Sequence, residues 1–380
     1  RLDPQSSPQQ VRIGGQAIVD FALDLAATTR ERIVTAWGSG ERWTLRGCSA
    51  TAALRQTTVV EYYDAYPQAL VLQTYYENLG PGTLVLDCVI QNDLRLDATL
   101  THPLGRPHDF WAFDGASWEW QQKIVFPIRP DTDYPGYLGQ VASGEGGGIP
   151  LLYVWNWRAG LALAHLEMTP VLWYMPLRTD EHGWVAVSFQ SGEPVYLRPG
   201  QRYTALRTML SVHHGDYFEP LRLYSTLMTA QGWKVAKPSP EAYEPAWSSW
   251  GYEFNYTMAE MLGVIPMLRE LGIHWAVLDD RWFDAYGDWM PRRDTFPRGE
   301  EDIKQLVDAY HLEGLRVQLW WYPLAAEDDQ RAWASHAYAL SQVIAEHPDW
   351  VILDEQGSRV RNNRHLAILC PALPEVQAYI

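Results

Sequence analysis

Asp279 and Asp280 sit side by side where a short apolar run, residues 274–278, gives way to polar sequence. Two carboxylates that finish a buried strand are costly to desolvate unless something donates to them, and neighbouring sugar hydroxyls are suitable donors. The pair is therefore a candidate for holding a polyhydroxylated ligand. A loop-opening N-cap or surface pair and a divalent-metal site are the alternatives that its chemistry leaves open. Two other runs end in indoles, at Trp247-Ser-Ser-Trp250 and at Trp320-Trp321-Tyr322-Pro323. Sugars offer flat C–H faces that stack on rings while their hydroxyls need polar partners, so acids flanked by indoles suit a saccharide. On this reading Asp279 and Asp280 bind hydroxyls, Trp250 and Trp320 form walls, and Trp289 in Tyr286-Gly-Asp-Trp289 is another wall. Core packing explains each tryptophan, taken singly, at least as well.

A frame is needed to bring these residues together, and the pattern around them supplies one. Residues 245–250, 274–278 and 315–320 read as strands, separated by helical periodicity over 257–271 and 301–312. Repeated strand–helix units imply parallel strands with crossover helices, either a barrel or a doubly wound sheet, in which functional groups gather at the C-terminal strand ends. Pro266 predicts a kink in the first helix. A last helix begins near Pro374, so about three of the eight units of a (β/α)8 barrel are present.

Before residue 241 the pattern is different. Residues 17–23, 57–63, 69–76, 83–90, 151–157, 184–189 and 203–212 read as short strands, with turn signals at Asn78-Leu-Gly-Pro-Gly82, Gly144-Glu-Gly-Gly-Gly148 and Arg198-Pro-Gly200. This implies an antiparallel sandwich. A helix over 217–232 closes it, and the proline-bearing stretch 234–241 is the natural linker. The expected division is residues 1–240 and 241–380. His213-His214 reads as structural rather than metal-binding. His108-Asp109-Phe110-Trp111 and Asp114-Gly-Ala-Ser-Trp118 read as a surface loop on the sandwich, with reach toward a neighbouring site as the alternative.

Composition narrows the class of function. The 380 residues exceed one ordinary core and suit two domains. A net charge of −16 argues against nucleic acid as partner, because phosphate binding requires a basic face. No apolar run approaches the roughly 18 residues of a spanning helix, so no membrane association is expected. The 19 Trp and 21 Tyr favour a carbohydrate ligand and also suit a large β-protein. Cys48, Cys88 and Cys370 are too few and too scattered for a disulfide framework or a zinc site and read as buried thiols. The sequence opens at Arg1 with no leader pattern, which is read as a signal removed or never present, and the low cysteine usage leans toward the cytoplasm. A homo-oligomer is left open.

Several motifs in order, Trp247-Ser-Ser-Trp250, Leu278-Asp-Asp-Arg-Trp-Phe283, Gly287-Asp-Trp289, Phe296-Pro297, Gly314-Leu-Arg-Val-Gln-Leu-Trp320, His347-Pro-Asp-Trp350 and Pro374-Glu-Val-Gln-Ala-Tyr-Ile380, resemble glycoside hydrolase family 36. That family includes α-galactosidases, α-N-acetylgalactosaminidases and raffinose-type galactosyltransferases. The resemblance implies an N-terminal β-supersandwich followed by a (β/α)8 TIM barrel, truncated here. It assigns Asp279 and Asp280 to the galactose 4- and 6-hydroxyls, Trp250 and Trp320 to the pocket wall, and Arg364 to a sugar contact. It implies retaining hydrolysis of terminal α-galactosides through two carboxylates, with no metal or organic cofactor and an oligosaccharide substrate. Both reacting carboxylates are expected after Ile380, so no catalytic residue is assigned in this chain and residues 1–380 alone are expected to be inactive. A transferase of the same fold, an α-N-acetylgalactosaminidase and a non-catalytic carbohydrate-binding protein are the competing readings. The sequence departs from the family in two places. Arg281 stands where a glycine is usual, narrowing the pocket or making an outward salt bridge, and Leu369-Cys370-Pro371-Ala372 replaces the usual Leu-Asp.

Overall fold

Strands of the first half alternate their side chains between two faces, and both faces find cover. A computed structural model describes residues 2–3, 7–97, 110–116, 124–136, 148–156, 158–169, 171, 173–234, 236–253, 255–328, 340–362 and 364–380. The chain divides into two compact units, Arg1–Val235 and Ala236–Ile380. The principal strands of the first are β1 (Thr29–Thr35), β2 (Gly38–Ser49), β3 (Leu54–Tyr63), β4 (Ala69–Asn78), β5 (Cys88–Asp97), β6 (Trp111–Ala116), β7 (Gly148–Trp155), β8 (Gly160–His165), β9 (Trp184–Ser191) and β10 (Arg202–His213). A ten-stranded antiparallel sheet runs from Val125–Pro127 through β6, β7, β8, β10, β4, β3 and β2 to Phe21–Leu23, with β1 hydrogen-bonded to β2. A seven-stranded antiparallel sheet is built around β5 and β9.

Tyr76, Leu152, Val154 and Leu163 of the large sheet meet Val89, Leu94, Val187 and Phe189 of the second in one core. On the opposite face of the large sheet, α1 (Phe218–Ala230) lays Leu223, Leu227 and Met228 over Trp37, Tyr63, Val71 and Met209. The Trp37 indole N–H donates to the Leu227 carbonyl at 2.9 Å. Because successive strand residues point to opposite faces, β4 gives Val71 to the helix side and Tyr76 to the inner core.

Some expected segments change on folding. The run at 17–23 splits into Gln16–Ile18 and Phe21–Leu23, and the run at 83–90 divides between Leu84–Leu86 and β5. Trp111 to Ala116 is a strand rather than a surface loop, and it buries Asp114. His108, Asp109, Ser117, Trp118, Gly144–Gly147 and Trp157 lie outside the described residues. The cysteines are not the buried thiols expected: Cys48 is exposed and Cys88 and Cys370 are half-buried. Strand alternation is the reason at Cys48, whose neighbours Gly47 and Ser49 take the buried face. His213 is buried and bonded to the Ser211 hydroxyl at 2.8 Å, whereas His214 is exposed and bonded to the Arg158 carbonyl.

In the second unit, β11 (Ala246–Ser248), β12 (Trp275–Leu278) and β13 (Arg316–Leu319) form a parallel sheet in that order. The helix expected over 257–271 is two, α2 (Met258–Gly263) and α3 (Ile265–Leu271), with Pro266 in the first turn of α3, where its missing N–H costs nothing. A capping box between Thr257 and Glu260 starts α2. Gly272, at φ 66°, ends α3 and lets the chain turn into β12. Helix α4 (Glu300–Leu312) returns the chain to β13 and carries Glu300, Glu301 and Asp302 in its first turn, where the helix dipole favours them. Met261, Leu268, Ala276, Leu278, Phe283, Leu306 and Tyr310 form the core of this unit. Further on, Ala325–Ala326 pairs with Ala367–Ile368. The chain is thus mostly β-sheet with few helices, and no helix of the described residues is long and apolar enough to cross a membrane.

Candidate functional site

The polar centre of the second unit forms where β12 ends at Leu278. Parallel register places Ser248 of β11 beside Val277, so the two strand ends face one another. The Ser248 hydroxyl donates to Asp279 Oδ2 at 2.8 Å, and the Asp279 amide donates to Ser249 Oγ at 2.8 Å. Asp279 Oδ1 accepts the Asp280 amide at 2.7 Å. Asp279 is half-buried, and a carboxylate oxygen with one donor has capacity for another.

Asp280 is buried, at 1% exposure. Its Oδ2 accepts the Tyr286 hydroxyl and Arg364 Nη1, the latter at 3.1 Å, and Arg364 Nη1 also donates to Tyr286 Oη at 3.1 Å. Its Oδ1 is covered and takes no hydrogen bond among the described residues. Desolvation pushes the Asp280 carboxyl above the usual carboxylate range, against the pull of the Tyr286 bond and of Arg364 and Arg281. Burial and the neighbouring Asp280 charge push the Tyr286 phenol far up, so it serves as a donor.

Behind this centre lies a buried ion pair. Arg281, 2% exposed, meets Glu327, 0% exposed, through two bonds of 3.1 Å. Glu327 Oε2 also accepts the Tyr286 amide at 3.2 Å, and the Glu327 amide donates to the Tyr286 carbonyl at 2.9 Å. The Arg281 guanidinium lies 4.9 Å from the Tyr286 ring centroid. Tyr286 is therefore fixed at its backbone and its ring, and through its hydroxyl it fixes Asp280. The side chain of Arg281 turns inward, not outward as one of the two sequence expectations had it, because Glu327 waits there as a planar partner for the guanidinium fork. Its backbone is left-handed, φ 68°, a conformation that glycine adopts without cost and arginine only when held.

The indoles fall into two groups. Trp289 packs on Phe283 at 4.6 Å, Tyr286 at 6.2 Å and Trp321 at 6.4 Å. Trp320 stacks on Phe283 and meets Tyr286 edge-on, both at 6.2 Å, and Arg364 lies 6.0 Å from its ring. Asp280, Arg364, Trp320 and Trp289 are thus joined through Tyr286. Trp250, 41% exposed, connects to the other aspartate, since its amide donates to Ser248 Oγ at 3.1 Å. Arg364 rides on a tight turn in which Asn362 Oδ1 accepts the amides of Arg364 and Leu366 at 2.9 and 3.0 Å. Arg361 braces that turn through Asp328 Oδ1 at 2.6 Å and the His365 carbonyl at 2.8 Å.

Comparisons with known proteins bear on this geometry. Residues 244–380 match the family described as Melibiase. These residues are similar to the α-galactosidase-like family 36 of glycoside hydrolases. A galactosaminidase of Flavonifractor plautii, named for A type blood α-D-galactosamine, is 25% identical over 366 residues, 92% of this chain and 31% of its own length. A probable α-galactosidase C of Aspergillus flavus is 34% identical over 151 residues, 36% of this chain and 18% of its own. Among solved structures, the family-36 α-galactosidase AgaA of Geobacillus stearothermophilus, a variant bound to 1-deoxygalactonojirimycin, superposes with TM-score 0.56 at 16% identity, covering 99% of this chain and 52% of that one. An α-galactosidase of Lactobacillus brevis gives 0.57 at 17%, covering 99% and 51%. The chain spans a third or less of the curated relatives' length and about half of the solved ones. The matches in structure carry the fold alone.

Tyr286, Glu327 and Ser248 were not singled out from sequence. Ser248 and Tyr286 lay inside quoted motifs, but nothing in a strand-end serine or a loop tyrosine announces a carboxylate partner. Glu327 is 46 residues from Arg281, and no spacing rule joins them.

Proposed function

We propose that the second unit opens a (β/α)8 barrel, and that the strand-end centre around Asp279 and Asp280 binds the galactosyl unit of an α-galactoside, in a protein that hydrolyses such substrates with retention. The observation that carries the reading is the carboxylate pair: Asp280 is buried, gripped on one oxygen by Tyr286 and Arg364 with the other unbonded, and Asp279 stands half-open beside it. A sugar bearing adjacent hydroxyls satisfies both acids, and the indoles Trp320, Trp289 and Trp250 present apolar faces for its C–H surface. Acids placed to hold an axial 4-hydroxyl select galacto over gluco sugars, because a missing hydroxyl leaves a desolvated carboxylate unpaired. The solved family members bound to raffinose and stachyose support an oligosaccharide as the full substrate.

Catalysis by retention needs two carboxylates roughly 5–5.5 Å apart, one attacking the anomeric carbon and one protonating the leaving oxygen. Asp279 and Asp280 are assigned to the sugar hydroxyls in this reading, so those roles belong to other carboxylates of a longer protein. In such a protein, Asp279→Asn and Asp280→Asn are each expected to lower kcat/KM on an aryl α-galactoside by roughly 100-fold, the worth of one charged hydrogen bond. Unchanged kinetics, or turnover of the α-glucoside in place of the galactoside, sinks the assignment. Added acceptor sugar in the same assay identifies a transferase by diverting product from free galactose.

The Flavonifractor plautii relative, whose match extends over both units, favours a second reading in which the sugar carries nitrogen at C2. Aryl α-galactosaminide and α-N-acetylgalactosaminide beside the galactoside decide between the readings by their kcat/KM ratios.

A further inference from the structure

The outer face of the large sheet in the first unit changes character along its strands. Under α1 it is apolar, with Tyr63, Val71 and Met209 covered. Two residues further along each strand the same face becomes a cleft of about 440 Å³ across β1, β2, β3, β4 and β10, lined by Arg42, Arg46, Arg55, Arg202 and Arg207 among glutamates and threonines. Five arginines face three glutamates in a chain whose net charge is −16.

The glutamates account for two of the arginines. Arg42 pairs with Glu61 at 2.7 Å and with Glu31 at 3.2 Å, and Arg55 pairs with Glu77 at 3.0 Å. The guanidiniums of Arg46, Arg202 and Arg207 have no carboxylate partner among the described residues. Arg46 gives one bond to the Ala27 carbonyl, Arg202 lies 3.6 Å from the Tyr75 ring centroid, and Arg207 lies 5.4 Å from the Trp37 ring. Rings hold those two guanidiniums by their faces, leaving their in-plane N–H edges to donate. The Thr44 and Thr57 hydroxyls line the same cleft.

We propose that this cleft binds an acidic oligosaccharide, through oxyanions on alternate or adjacent sugar units, at a site separate from the strand-end centre of the second unit. The guanidinium edges take the oxyanions in bidentate fashion, and the threonines take the hydroxyls. A neutral sugar would leave three guanidiniums unpaired beneath it. An acidic sugar converts a local excess of positive charge into ion pairs, and the acidity of the remaining surface confines binding to this cleft. The oxyanion is either a uronate carboxylate or a sulfate ester, which share this chemistry.

The test uses the chain of residues 1–380 in calorimetric titration with three ligands of equal length: an oligogalacturonide, a sulfated galacto-oligosaccharide and a neutral galacto-oligosaccharide. Either acidic ligand is expected to bind at least tenfold more tightly than the neutral one and to weaken as salt rises, and the tighter of the two identifies the oxyanion. Arg202→Ala and Arg207→Ala should each weaken the acidic ligand by roughly tenfold, and Arg202→Lys should recover only part of the loss because a point charge cannot bind bidentately. Both positions lie on a solvated face, and unchanged circular dichroism and Tm confirm that the variants fold. Equal affinity for neutral and acidic ligands, no binding of either, binding indifferent to both substitutions, or a change in sedimentation mass in place of affinity overturns the proposal.

Discussion

Arg281 and Glu327 illustrate how a residue that touches no ligand governs one that would. Removing one partner of a buried pair strands the other charge at a cost of roughly 3–5 kcal/mol, whereas replacing both by apolar groups is far milder. Glu327→Gln should therefore lower the stability of the second unit by an amount of that order in denaturant titration, and Arg281→Met with Glu327→Leu should regain most of it. A Glu327→Gln protein as stable as the parent would show that the pair holds nothing. Asp280 yields a second expectation. Its folded-state pKa is raised, so the folded chain retains a proton that the unfolded chain has lost, and stability falls as pH rises from the ordinary aspartate value through the folded one. The Tm advantage of Asp280→Asn over the parent should grow across that window, and a difference flat with pH counts against the burial argument. The strand-end aspartates and indoles were legible from sequence because acids and rings at the ends of apolar runs have few structural uses. Their supports were not, since Tyr286 and Glu327 take their meaning from contacts between distant segments.

At the scale of elements, apolar alternation led to several strands of the first unit but did not name β1, β2, β6 or β8, which belong to its larger sheet. The faces of β1 and β2 are spelled in charge rather than hydrocarbon, as Arg30–Glu41 at 2.6 Å and Arg42–Glu61 at 2.7 Å make clear. Cross-strand ion pairs replace the period-two signal that a reader of hydrophobicity seeks. Within β8, Gly160 is required by close approach: a Cβ there would meet the Tyr153 ring at 2.4 Å and Trp155 Cβ at 2.5 Å. Gly160→Ala should cost about 1–3 kcal/mol, typical of overpacking, and a chevron or denaturant midpoint left unmoved would contradict the packing. His165 at the end of β8 is buried beside Phe189, and desolvation lowers its pKa to about 4. An unfolded histidine titrates near 6.5, so stability is intact at neutral pH and falls as pH drops from about 6.5 to about 4, by roughly 3 kcal/mol in all. His165→Asn should flatten that decline, which thermal melts from pH 7 to pH 4 would reveal.

For the whole molecule, the expectation is recognition without turnover. On the function proposed above, residues 1–380 offer acceptors, walls and a cation to a galactosyl unit but no assigned pair of reacting carboxylates, so galactose should bind weakly while an aryl α-galactoside releases no phenol. Measured release would contradict the division of labour proposed here. Among the described residues β13 forms one edge of its sheet, and Leu319 and Trp321 near its end are 37% and 47% exposed. Open edges beside apolar side chains invite pairing between molecules, so light scattering should rise with concentration and Gln318→Lys should suppress it. A silent binder needs an observable other than product. The Ser248 hydroxyl provides one, because it accepts the Trp250 amide while donating to Asp279. A guest that loads Asp279 stiffens that relay, and deuterium uptake at the Trp250 amide would slow in proportion to the fraction of sites filled, making one backbone proton a titration indicator.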